Sequence, residues 1–243
     1  MSEQLSMDRI LKDKMINSFG EPHLACALLL DTSQSMGVGN RAIDSLNEGI
    51  KRFKDSVTAD PIARNRVDVA LIAFNSQVDV ISDFVPIDQM PTPDLEADGM
   101  TDMAQGIQTA IDLVKRRTNM YHSLGTPCHK PWIIMITDGL STSTEDDMQK
   151  AADRIHEEEA KGSHGRLSFW ALGIDDYDSD ELFKLTKRVL ELRDQDFSGI
   201  FDWFSESMAC ISQSQVGEHV DFGILPENAR KAVKDRTIDE DWD

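Results

Sequence analysis

The chain has 243 residues, of which 40% are hydrophobic and 28% charged, with 44 Asp and Glu against 25 Lys and Arg. That length supports one sizeable α/β domain or two small ones, and the composition excludes a disordered chain. A formal charge of −19 argues against nucleic acid or an anionic membrane surface as partner, because a polyanion is repelled without a local basic patch.

The opening MSEQLSMDRILKDKM is charged throughout and lacks the apolar core of an export signal, and no run approaches membrane-spanning length. A cytoplasmic, reduced protein without membrane contact is therefore expected. Residues 3–18 show helical spacing (Leu5, Ile10, Leu11, Met15), predicting an N-terminal helical extension within 1–21. LACALLL (24–30) is an apolar run of strand length ending at Asp31, and Ile43, Leu46, Ile50 and Phe53 then mark a helix over about 41–57. VDVALIAF (67–74) is a second buried strand, which NSQ (75–77) turns back into VDVISDF (78–84) as an antiparallel edge.

A Pro- and acid-rich loop (85–100) carries Asp94, Glu96 and Asp98, and Met103, Ile107, Ile111 and Val114 begin the next helix. Its basic end, VKRRTNMYHS (114–123), suits the negative end of a helix dipole. WIIMIT (132–137) is a third buried strand, ending at Asp138-Gly139. Thr144 and Asp147 then form a capping box for a polar helix to about 161. RLSFWALGI (166–174) is a fourth core strand, and Trp203, Phe204, Met208 and Ile211 give a last apolar face. Residues 217–243 read as an acidic tail.

Three cysteines lie far apart without metal-finger spacing. Cys26 and Cys210 read as small core residues, and Cys128, beside His129 in a Pro-flanked loop, as a weak nucleophile candidate. The six histidines lack ligand spacing and read as surface or loop residues. Buried strands alternating with helices predict a doubly wound α/β domain over 22–216, with a mainly parallel sheet, one antiparallel edge strand and helices on both faces.

In such sheets the functional crevice lies beyond the carboxyl ends of the strands, where strand order reverses. Asp31 and Asp138 both sit at such ends, Ser33 and Ser35 follow Asp31, and Thr101 lies on a loop that can close over the same edge. Two carboxylates and three hydroxyls offer only oxygen, which suits Mg²⁺, with Mn²⁺ or Ca²⁺ as alternatives, and not Zn²⁺. If the hydroxyls coordinate directly and the aspartates act through water, the ion keeps much of its charge and attracts a partner's carboxylate.

Asp31, Ser33 and Ser35 in DTSQS, then Thr101, then Asp138 in TDG, resemble the metal-ion-dependent adhesion site of von Willebrand factor A domains. Gln34 stands where many members have Gly. The resemblance implies that the serines and threonine hold the ion, that the aspartates support it largely through water, and that a Glu or Asp of a protein partner completes the shell. KPWIIMITDG (130–139) and IFDWFSESMACISQSQVG (200–217) are similar to the bacterial tellurium-resistance TerY-type subgroup. That narrower resemblance implies an intracellular protein of a stress-response or defence gene cluster, with a kinase or phosphatase encoded nearby as a candidate partner.

The expected function is a non-enzymatic, metal-dependent interaction module, since no general base, nucleophile or phosphate loop accompanies the oxygen donors. The alternative is a Mg²⁺-dependent phosphohydrolase using Asp31 as nucleophile, although Ser33 stands where a haloacid-dehalogenase-type enzyme has a second Asp. A third reading lets the terminal DEDWD (239–243) supply the missing carboxylate itself.

Overall fold

The computed structural model describes residues 16–18, 20–37, 42–161, 167–174 and 177–232. The helical pattern over 3–15 and the terminal DEDWD lie outside these, and residues 16–18 are not helical.

Leu24–Asp31 (β1) is buried along its whole length. Its side chains alternate between two cores: Cys26, Leu28 and Leu30 face one side, while Ala25, Ala27 and Leu29 face the other. A strand wetted on neither side must be central, and β1 pairs in parallel with both Val67–Phe74 (β2) and Trp132–Thr137 (β4). Beyond β4 come Ser168–Ile174 (β5) and Val189–Leu192 (β6), both parallel. Val78–Pro86 (β3) closes one edge antiparallel to β2, giving the order β3-β2-β1-β4-β5-β6-β7, where β7 is Ala229–Lys231.

Helices cover both faces. On one, Ala42–Ala59 (α1) and Ser198–Gln213 (α6) bury Leu46, Ile50, Phe53, Phe201 and Phe204. These helices approach so closely that a Cβ on Gly49 would stand 2.6 Å from the Phe201 ring. On the other face, Met103–Ser123 (α3), Glu145–Ala160 (α4) and Ser179–Leu185 (α5) bury Met103, Ile107, Ile111, Ile155 and Leu182. Thr144 caps α4 as the spacing predicts, accepting from the Asp147 amide at 3.2 Å.

Several expectations need correction. The sheet has two antiparallel edges rather than one, because β7 pairs with β6. Residues after 217 are in part built into the domain: Phe222 sets its ring edge-on to Trp132 at 5.4 Å, and its carbonyl accepts from the Trp203 indole at 2.9 Å. Pro61–Arg66 (α2) is an unforeseen helix, capped by Asp60, whose carboxylate accepts from the Ile62 and Ala63 amides at 2.8 Å. Cys210 is exposed, and His23 and His129 are buried. Cys128 is half-buried and burial raises its thiol pKa, which disfavours the nucleophilic thiolate. Arg117 does not serve the helix dipole: it is buried against Asp68 at 3.0 Å.

Candidate metal centre

Strand order reverses between β1 and β4, so the crevice at their carboxyl ends is where loops from both diverge. Asp31 closes β1 with no exposed surface. One carboxylate oxygen accepts from the Ser33 amide at 2.8 Å, and the other accepts from the Thr137 hydroxyl at 2.6 Å. Thr137 in turn accepts from the Gly139 amide at 3.3 Å, which ties the end of β4 to the Asp31 carboxylate. The chain then leaves β1 in a 3₁₀ turn over Gln34–Gly37. That turn sets the Ser33 and Ser35 hydroxyls 3.0 Å apart, and Ser35 donates to Asp138 at 2.8 Å. Asp31, Ser33, Ser35 and Asp138 therefore share one cluster of hydrogen bonds across the crevice.

The segment before Thr101 is bonded to the same edge through its backbone. The Gly99 carbonyl accepts from Gln34 at 3.0 Å, and the Thr32 carbonyl accepts from Asp98 at 2.9 Å. Gly99 makes this turn at φ +74°, a conformation that other residues rarely adopt. On its far side, the Thr101 carbonyl accepts from the Thr142 amide at 2.9 Å, and its own amide donates to the Thr142 hydroxyl at 3.1 Å. Asp98 and Gly99 thus tie this segment to the loop after β1 while Thr101 itself bonds to the loop after β4, and only 5% of the Thr101 surface is exposed.

Burial pushes the Asp31 carboxyl up to about 6; the Thr137 and Ser33 bonds oppose this, while the charge of Asp138 adds to it. Two carboxylates facing one crevice repel each other, and a hard divalent cation would relieve that repulsion. The donors suit such an ion in being all oxygen; only two of them are carboxylates, and among the described residues no group of three His, Cys, Asp or Glu side chains has metal-binding geometry. The structure also supplies a participant not foreseen from sequence. Thr137, the last residue of an apolar strand, orients the Asp31 carboxylate. The hydroxyl-rich run 137–144 was the available signal.

Residues 26–141 match the family model of the von Willebrand factor type A domain. Among curated proteins none matches the chain. Solved structures with the same fold include a von Willebrand factor type A protein from Catenulispora acidiphila, at 18% identity and TM-score 0.60, covering 78% of this chain and 43% of that one. The pilus adhesin SpaC from Lactobacillus rhamnosus GG, in an open conformation, shares 15% identity at TM-score 0.59 over 81% of this chain and 31% of its own. The proximal thread matrix protein 1 of the mussel byssus, with zinc occupying its MIDAS motif, shares 18% identity at TM-score 0.51 over 79% and 49%. The chain thus spans less than half the length of each of these structures, and at such identities the likeness is one of fold. No helix among the described residues is long and apolar enough to cross a membrane.

Proposed function

We propose that this chain is a metal-dependent protein-interaction module, in which Ser33, Ser35 and Thr101 hold Mg²⁺ through their hydroxyls. Asp31 and Asp138 support the ion largely through water, and a Glu or Asp of the partner takes an open coordination position. The observation that carries this reading is the hydrogen-bonded cluster Asp31–Ser33–Ser35–Asp138, set where strand order reverses. Hydroxyl ligands leave the ion electron-poor, which favours capture of an external carboxylate. Met100 and Leu140, each 60% exposed, flank Thr101 and Gly139 and offer the partner apolar contact beside the ion.

The phosphohydrolase reading fits less well. A nucleophilic aspartate must reach a phosphorus atom, yet Asp31 has no exposed surface and both its oxygens accept hydrogen bonds. The similarity of residues 130–139 and 200–217 to the TerY-type subgroup supports a setting in bacterial stress response. The test is affinity capture with Mg²⁺ against EDTA, paired with calorimetric Mg²⁺ titration of the wild type and of Ser35→Ala and Asp138→Asn. We expect Mg²⁺-dependent capture that both variants lose while staying folded. Capture that is indifferent to EDTA, or unchanged Mg²⁺ uptake by both variants, would refute the proposal.

A further inference from the structure

The loop that leaves β4 has an anchor outside the crevice. Residues 138–144 carry Asp138 near one end and, near the other, Thr142, which holds the Thr101 backbone, yet none of them is buried. Without apolar packing to fix it, such a loop takes its shape from hydrogen bonds. Ser143 accepts from the Ala104 amide at 3.1 Å and donates to the Asp102 carboxylate at 2.8 Å, which fastens the start of α3 to the loop. The Ser141 hydroxyl accepts from the Ser143 amide at 3.1 Å. The Ser141 amide donates instead to the carboxylate of Glu181, on α5, at 3.2 Å.

Glu181 stands where a capping residue would and does not act as one. Asp178 and Glu181 have the spacing of a capping box, in which the first side chain accepts from the fourth amide and the fourth side chain returns to the first amide. The first half is made, with the Glu181 amide donating to Asp178 at 3.1 Å. The second half is not: among the described residues, the Ser141 amide is the one hydrogen-bond donor to the Glu181 carboxylate. Burial raises the Glu181 pKa, the Ser141 bond opposes this, Asp178 adds to it and Lys184 lowers it. A carboxylate kept only to complement the helix dipole would do so equally well in water.

Thr101 lies at the other end of this chain of bonds. Its amide and carbonyl are both bonded to Thr142, whereas its hydroxyl makes no hydrogen bond among the described residues. The hydroxyl is therefore aimed by its backbone, and that backbone by the loop. We propose that Glu181 is a positioning residue of the metal centre, holding loop 138–144 through the Ser141 amide so that Asp138 and the Thr101 hydroxyl keep the separation an ion requires. This rests on the metal reading above and extends the centre to α5.

The test compares Glu181→Ala with Glu181→Gln. Both remove the charge, and only Gln keeps an acceptor for the Ser141 amide, so their difference isolates the bond. Mg²⁺ affinity in calorimetry should be about tenfold lower in Glu181→Ala than in Glu181→Gln, the lower end of what orienting groups contribute. Asp178→Ala removes the cap of the same helix. It should unfold at a lower urea concentration while binding Mg²⁺ within about twofold of the wild type. A second readout needs no ion. In EDTA, NMR amide exchange at Thr142 and Ala104, which are bonded to Thr101 and Ser143, should be about tenfold faster in Glu181→Ala than in Glu181→Gln. Equal Mg²⁺ affinity of the Ala and Gln variants, an equal loss in Asp178→Ala, or unchanged exchange at Thr142 and Ala104 would each overturn the proposal. A wild type that takes up no Mg²⁺ would refute the metal reading instead, and the exchange rates then still decide whether Glu181 holds the loop.

Discussion

Thr137 and Asp31 show how a single hydroxyl can govern a charged site. The carboxylate of Asp31 is held by one amide and one hydroxyl, so removing the hydroxyl frees it to rotate. Groups that orient a metal's ligands typically contribute about 10–100-fold to affinity when mutated. Thr137→Val keeps the β-branched shape in the strand, and we expect it to lower Mg²⁺ affinity by about tenfold in calorimetry and Tm by several degrees, because a buried carboxylate oxygen loses its donor. The sequence could not single this residue out, because a Thr closing WIIMIT is explained equally well as a strand former. Asp31, Ser33 and Ser35 were legible because three oxygen donors end a buried run within five residues.

The same aspartate sets a pH dependence. Its folded pKa, about 6, lies above the 3.8 of a free carboxyl. The folded state therefore binds the proton more tightly, and metal-free stability declines as pH rises across that window, being fully relieved only below it. Mg²⁺ needs the ionised form and should restore what ionisation costs. At pH about 7.5, Mg²⁺ at about 100 times its Kd adds about 2.7 kcal/mol and raises Tm by roughly 5–10 °C. At pH about 5 the same Mg²⁺ concentration should give about half that gain, because binding must first expel the Asp31 proton and the apparent affinity falls about tenfold. Differential scanning calorimetry at the two pH values, with and without Mg²⁺, checks both signs.

Among the elements, the long ones declared themselves and the short ones did not. The apolar runs behind β1, β2 and β4 and the 3.6-residue spacing of α1 and α3 appear in the structure within a few residues of their predicted bounds. By contrast α2, β6 and β7 have six, four and three residues. Such segments carry no readable period; β6 exists because β5 offers an edge to pair with, and β7 because β6 offers the next one. The end of α3 misled for another reason. Lys115, Arg116 and Arg117 look alike in sequence, but only Arg117 faces inward, where it meets Asp68 together with His23 and Tyr121.

That buried cluster couples α3 to β2 and makes a prediction at the scale of the element. Burial raises the Asp68 carboxyl, but Arg117, His23 and Tyr121 outweigh it and hold the pKa below the usual carboxylate range. Removing the guanidinium leaves a buried charge with weaker compensation, a change that typically costs about 3–5 kcal/mol. Arg117→Met should therefore unfold in urea at a markedly lower midpoint. Adding Asp68→Asn should recover part of the loss, since the uncompensated charge is then gone. If Arg117→Met costs no more than a surface substitution, the cluster does not hold α3 to the sheet.

At the scale of the whole molecule, the proposed function meets the chain's own charge. A net −19 repels a carboxylate at long range, and the exposed acids Asp94, Glu96 and Asp98 lie on the loop that leads to Thr101. The ion's attraction for a partner's Glu or Asp acts at contact, whereas the repulsion extends about a Debye length, roughly 8–10 Å in physiological salt. Approach is then productive only if the surface around the partner's carboxylate is basic, so that the acid is carried in on a positive face. The expected signature is kinetic. With Mg²⁺ saturating, the association rate constant should fall by about tenfold or more as salt rises from about 50 to about 500 mM, while dissociation changes little. Stopped-flow measurement on the captured partner decides the sign. An association rate that rises with salt would mean that the two faces repel and that the contact with the ion alone overcomes it.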